Sequence, residues 1–183
     1  VNRIDRLLKS YQRYVSLPWS ATLPPQQRVW CAVHPPADER RLRPRLGDFH
    51  GATGSAGHGW SEIDLTHEFG RWLGAHPYRD LYFANPNALS PALRLFRQQL
   101  SEVVRQRVSA QPDGDVLALH GVVGLFGVMR VSDLIESVSA DIRGRMLVFF
   151  PGTHEGSVYR LLDARDGWNY HAVAIKPDDP ENP

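Results

Sequence analysis

Two hydrophobic periods alternate along the chain. In "RIDRLLKSYQRYV", residues 3–15, Ile4, Leu7, Leu8, Tyr11 and Val15 recur at helical spacing and predict an amphipathic first helix. Three prolines in "SLPWSATLPPQQ" break that pattern, so the chain crosses here as an extended loop. "RVWCAV", residues 28–33, reads as a first buried strand. "PPADERRLRPRLGDF" predicts a helix with Asp38 and Glu39 early, where the helix dipole favours negative charge, interrupted or kinked at Pro44. The Gly-rich "HGATGSAGHG" is expected to close that helix before a second strand, "WSEIDL", residues 60–65. Thr66 offers an N-cap for a helix in "HEFGRWLGA".

Ser90 and Pro91 predict the cap and first turn of the longest helix, which ends near Ala110 and carries Leu89, Leu93, Phe96, Leu100, Val103 and Val104 as its stripe. "DVLALH", residues 115–120, is a third strand. A helix capped by Ser132 then places Val131, Leu134, Ile135, Val138 and Ile142 on one face. "RMLVFF" and "YHAVAI", residues 145–150 and 170–175, complete five strands.

Continuous apolar strands alternating with amphipathic helices imply a sheet buried on both faces. The expected fold is a three-layer α/β domain with a mainly parallel five-stranded sheet, Rossmann-like in topology but without a nucleotide fingerprint. It is expected to span residues 1–176, followed by a polar, proline-rich tail, 177–183, that frays. If the strands are parallel, the segments after Val33, His120 and Phe150 sit at corresponding strand ends, where function concentrates in such folds.

Composition narrows the classes. With 183 residues, 42% hydrophobic and 22% charged, the chain can bury one sizeable core. No apolar run approaches the ~18 residues of a membrane span. Val1-Asn2-Arg3 shows no apolar leader, and a trimmed start is expected. The single cysteine, Cys31, lies in an apolar run and reads as a buried, inert thiol, which fits a reducing, cytoplasmic compartment. A net charge of +1 gives no strong field for nucleic acid or anionic lipid.

Candidate chemistry is sparse. Gly121, Gly124 and Gly127 precede a helix, but their spacing is not the dinucleotide fingerprint G-x-G-x-x-G. Lys9 and Lys176, the two lysines, follow leucine and isoleucine, so no Walker A loop exists; tight-turn glycines beneath packed helices are the preferred reading. Among eight histidines, His50, His58 and His154 draw attention, yet no H-E-x-x-H pair exists and one cysteine builds no thiolate site. Gly54-Ser55-Ala56-Gly57 is not a nucleophile elbow. Arg40, Arg41, Arg43 and Arg45 are DNA-binding candidates, diluted by Asp38, Glu39 and Asp48; Arg94 and Arg105 share another exposed helix face. No catalytic residue, cofactor or metal is assigned.

"YRLLDARDGWNY", residues 159–170, packs charge between apolar residues. Asp163 and Asp166 are a potential acid–base or metal-binding carboxylate pair. The local reading is stronger: Asp166-Gly167 signals a turn, and Arg160 or Arg165 neutralises the carboxylates. Trp168 and Tyr170 each carry an apolar body with a polar edge, which suits core closure or an interface. The partner-binding candidates are therefore Arg160, Asp163, Arg165, Asp166, Trp168 and Tyr170.

"RLLDARDGWNY", preceded by "LVFFPG" and "RVSDLIESV", resembles the BrxB family of bacterial BREX phage-defence systems. "SLPW" at 16–19, "RVWCAV", "DERRLRPRLGDF" and "GHGWSEIDL" match the same pattern, so the resemblance runs to about Ile175. His58 lies in the family-like "GHGW", whereas His50 and His154 match no family motif. The resemblance implies a non-catalytic adaptor that binds the PglZ-type, alkaline-phosphatase-like protein, within a larger complex holding a methyltransferase and an ATPase. It supplies no catalytic residue. A cryptic nucleotide- or metal-binding enzyme and a DNA-binding subunit are the alternatives.

Overall fold

The structure, a computed structural model, describes residues 2–164 and 167–177. Helix α1 spans Arg3–Val15 as its periodicity predicts, and Asn2 and Asp5 start it with a reciprocal capping box. Strand β1, Val29–His34, is buried along its whole length. A short α2, Glu39–Leu42, and a 3₁₀ turn, Arg43–Arg45, lead into α3, Leu46–Ser55. The break at Pro44 is as expected. The Gly-rich segment, however, does not close the helix but forms much of α3. Gly47, Gly51 and Gly54 have nothing within 4 Å of where a Cβ would stand, while Phe49, Ala52 and Thr53 are buried. Burial of that face outweighs the weak helix propensity of glycine.

Next come β2 (Trp60–Asp64), α4 (Glu68–Ala75), α5 (Arg79–Ala84), a 3₁₀ turn over Pro86–Ala92 and α6 (Leu93–Ser109). Strand β3 (Val116–His120), α7 (Val131–Val138) and β4 (Arg145–Glu155) follow, and β5 (Val158–Leu161), β6 (Trp168–Asn169) and β7 (Val173–Ile175) end the order. None of the three expected side-chain caps forms. The Thr66 hydroxyl donates to Asp64 at 2.5 Å, and α4 begins after His67. Ser90 and Pro91 lie inside the 3₁₀ turn, and Ser132 is the second residue of α7. On α6, Phe96, Leu100, Val104 and Val108 are buried, whereas Val103 is 52% exposed. The segment that forms α5 gave no helical signal, and none of its residues is buried.

The fold is mixed α/β with a mostly parallel sheet. Strands run β2-β3-β4-β1-β7, each neighbour parallel to the next. Alternate strand residues face opposite sides. Cys31, Val33, Leu117, Leu119, Met146, Val148 and Phe150 pack with α6 and α7, while Trp30, Ala32, Val116, Ala118, Leu147 and Phe149 pack with α1 and α3. Among the described residues the sheet has seven strands rather than the expected five, because β4 outruns its predicted end. Beyond Pro151 it continues into an antiparallel ladder with β5, which pairs in turn with β6. Gly152 permits the close approach of β5: a Cβ there would stand 1.9 Å from the carbonyl oxygen of Arg160.

Candidate functional site

The antiparallel extension creates a cleft of about 570 Å³ that the parallel sheet alone would lack. One wall is Tyr159 and Leu161 of β5 with Gly167, Trp168 and Asn169; the other is the continuous run Phe126–Asp133 with Glu136 of α7. Phe150 also lines it, and Arg97 of α6 donates to the Val128 carbonyl at 2.7 Å. The indole N–H of Trp168 donates to Glu136 at 2.9 Å, tying the two walls together. Trp168 stacks on Tyr170 at 4.3 Å and lies 5.5 Å from Tyr159, so aromatic packing fixes its orientation. The loop beyond β5 opens with Leu162 in the left-handed region, φ 53°, its N–H bonded to Pro151. A leucine held there carries backbone strain of about 1 kcal/mol.

The candidate residues of this loop divide. Trp168 is half-buried at the cleft, and Asp163 is exposed in the turn. Tyr170 is only 7% exposed and belongs to the core, so it supports Trp168 instead of meeting a partner itself. Arg160 is exposed on β5, and its guanidinium lies near Gly167. Arg165 and Asp166 fall outside the described residues. The pattern of apolar positions missed Phe126, Asp133 and Glu136. Phe126 is an apolar residue left 49% exposed, and Glu136 is a charge on a helix whose other face is core.

Other sequence candidates have structural duties. Gly121, with φ 71°, and Gly124 bring their segment against Leu65 and Thr66, with no room for a Cβ at either position. Gly127 has open space around it. The arginine cluster is also divided. Arg45 pairs with Asp5 and Asp48, and Arg43 reaches Glu39 at 3.5 Å and the Thr66 hydroxyl at 2.9 Å. Arg41 lies 3.9 Å from Asp38 and, like Arg40, projects into solvent. Cys31 is fully buried, and burial pushes its thiol up to about 12 against a hydrogen bond with Tyr159.

Two further clusters sit at opposite ends of the parallel strands. His34, Asp64 and His120 are the last residues of β1, β2 and β3. His34 Nε2 meets Glu39 at 2.7 Å, and Asp64 lies 3.6 Å from His120; Arg43 and Thr66 bridge the two pairs. Burial pushes the Glu39 carboxyl up, but the hydrogen bond with His34 and the Arg43 charge leave it below the usual range. This network ties α2 across the strand ends.

At the strand starts, Trp19 stacks on His58 with ring centres 3.7 Å apart and meets Trp30 edge-on at 5.7 Å. Arg145, 3% exposed, lies 4.8 Å from the Trp19 ring centre and donates to the carbonyls of Gly144 and Ser20. Arg28 holds the same loop through the carbonyls of Leu23, Ala21 and Ile142.

Among the described residues, no group of three or more histidine, cysteine, aspartate or glutamate side chains is placed to hold a metal ion. No described helix is long and apolar enough to cross a membrane. The class that fold and site define is therefore a mixed α/β protein, with a cleft between a hairpin on its sheet and α7. No family model, curated protein or solved structure matches the chain.

Proposed function

We propose that this protein is a non-catalytic adaptor of a BREX-type antiphage defence system, acting in the cytoplasm and docking on the PglZ-type protein through the cleft. One observation carries the reading. "RVSDLIESV", "LVFFPG" and "RLLDARDGWNY", three separate stretches that carry the resemblance, converge on this one surface. The first supplies the wall from Arg130 to Glu136, the second the Phe150 floor and the close approach of β5 at Gly152, the third Leu161, Ala164, Gly167, Trp168 and Asn169. A half-buried tryptophan beside an exposed phenylalanine is the kind of anchor that dominates protein interfaces. In this reading the fold is a three-layer, Rossmann-like scaffold without a nucleotide fingerprint, whose strand ends are bridged by the His34–Glu39 and Asp64–His120 pairs.

The test is co-purification of the chain with the PglZ-type protein from its own operon, with light scattering for stoichiometry. The expected result is one complex of defined mass, lost on Trp168→Ala while the variant stays folded. Two separate peaks at micromolar concentration would overturn pairwise docking.

A further inference from the structure

We infer that Arg145 and Arg28, at the starts of the strands, hold a small tetrahedral oxyanion such as phosphate or sulfate beneath the Trp19 loop. The site lies at the other end of β4 from the cleft and does not rest on the docking reading. Arg145 opens β4 and is 3% exposed, yet its guanidinium meets only backbone carbonyls and aromatic rings. Nη1 donates to Gly144 at 3.0 Å and Nη2 to Ser20 at 3.3 Å, and the Trp19 and Trp30 ring centres lie 4.8 Å and 5.9 Å away. Its Nε–H is buried with no acceptor, and the buried indole N–H of Trp19 has none either. Burial, and next the charge of nearby Arg28, pull the Arg145 guanidinium below its ordinary value. Arg28 in turn donates through Nε, Nη1 and Nη2 to the carbonyls of Leu23, Ile142 and Ala21. Among the described residues neither arginine makes an ion pair.

Like charges brought together away from water destabilise a fold unless an opposite charge joins them. The acids that stand nearest in the chain are engaged elsewhere. Asp141, beside the Ile142 carbonyl that Arg28 binds, pairs with Arg105 at 3.4 Å. Asp113 pairs with Arg143 at 2.8 Å, and the Asp115 carboxylate accepts the Gly59 N–H at 3.2 Å. A water molecule accepts from a spare N–H but neutralises neither guanidinium. An oxyanion does both. Each Nη of the two arginines carries a second N–H beyond the one given to a carbonyl, and Arg145 keeps its Nε–H. The planar fork of arginine matches the oxygens of such an ion. The occupant is small because Arg145 is sealed: a nucleotide or a protein side chain would have to displace Trp19 from its stack on His58.

Thermal unfolding in ~20 mM sodium phosphate, against sodium chloride of matched ionic strength, reads the site, because an ion bound only by the folded chain raises Tm by mass action. With a dissociation constant of about 1 mM, the wild type is expected to melt about 4 °C higher in phosphate, and sulfate to act alike. Arg28→Gln and Arg145→Met, each removing one of the charges, are expected to abolish the rise. AMP at the same concentration, its phosphate tied to a nucleoside too large for the space beneath Trp19, is expected to give none. No rise in the wild type, a rise kept in either variant, or an equal rise with AMP overturns the site. If the variants fail to fold, the Arg145 Nε–H resonance of the wild type decides: it is expected to shift to saturation as phosphate is added, and an unmoved resonance overturns the proposal.

Discussion

The aromatic cluster at the start of the strands and the cleft beside α7 are built from similar parts. Each joins segments far apart in sequence, and each centres on a tryptophan. They differ in what surrounds the tryptophan. Trp19 lies between His58, Trp30 and a 97%-buried Arg145 whose guanidinium reaches backbone carbonyls, so the cluster closes on itself. Trp168 has a stacking partner beneath and one hydrogen bond at its edge, with a cleft beside it. A closed cluster fixes a loop, and an open one offers a surface.

The sharpest way to break this comparison is to truncate each tryptophan. Trp19→Ala is expected to lower unfolding free energy in urea by about 3 kcal/mol, because it empties a site packed on several sides. Partner affinity, measured where the variant is folded, stays at the wild-type level. Trp168→Ala shows the reverse balance: about 2 kcal/mol or more of binding free energy lost by calorimetry, with about 1 kcal/mol of stability. Equal stability losses with unchanged binding would place both tryptophans in structural roles.

A smaller effect is expected at the strand-end network. Glu39→Gln replaces a charge-assisted bond to His34 and is expected to cost about 1 kcal/mol at neutral pH. Because the folded-state carboxyl is held below its usual value, that contribution is complete above the ordinary glutamate range. It disappears as pH falls through the depressed folded value. Denaturation of wild type and Glu39→Gln at descending pH should therefore converge. The smallest effects are expected on exposed arginines and on the thiol. Arg40→Ala with Arg41→Ala should change stability by less than about 0.5 kcal/mol and leave DNA retention at low salt unchanged. Cys31 should resist a thiol reagent at pH 8 in the native protein and react on unfolding, since burial holds its pKa near 12.

Much of the fold was legible because burial repeats with a period. The first helix, the four long strands of the parallel sheet and the core face of α7 follow from apolar spacing alone. What escaped prediction depends on local competition. The Thr66 hydroxyl had two possible uses, capping α4 or bonding Asp64, and the strand-end carboxylate won. Glycines that signal a break instead lie on the open side of α3. For the candidate site, "YRLLDARDGWNY" was conspicuous, but its opposite wall was not, because Phe126, Asp133 and Glu136 carry no pattern until the hairpin comes alongside them.

The sequence by itself determined the core faces of the first helix and of the parallel strands, that strands and helices alternate, that Cys31 is sealed in the core, and that the Trp168 loop combines charge with aromatic residues. These properties follow from composition and from periods of 2 and 3.6, which neighbouring residues establish. Only the tertiary structure decided that β4 continues past Pro151 into a hairpin, that Tyr170 turns inward while Trp168 remains at a cleft, and that Arg145 rather than any carboxylate holds the Trp19 loop. The last two depend on partners far along the chain, Glu136 at 32 residues from Trp168 and Ser20 at 125 from Arg145, and their approach is set by the packing of whole elements.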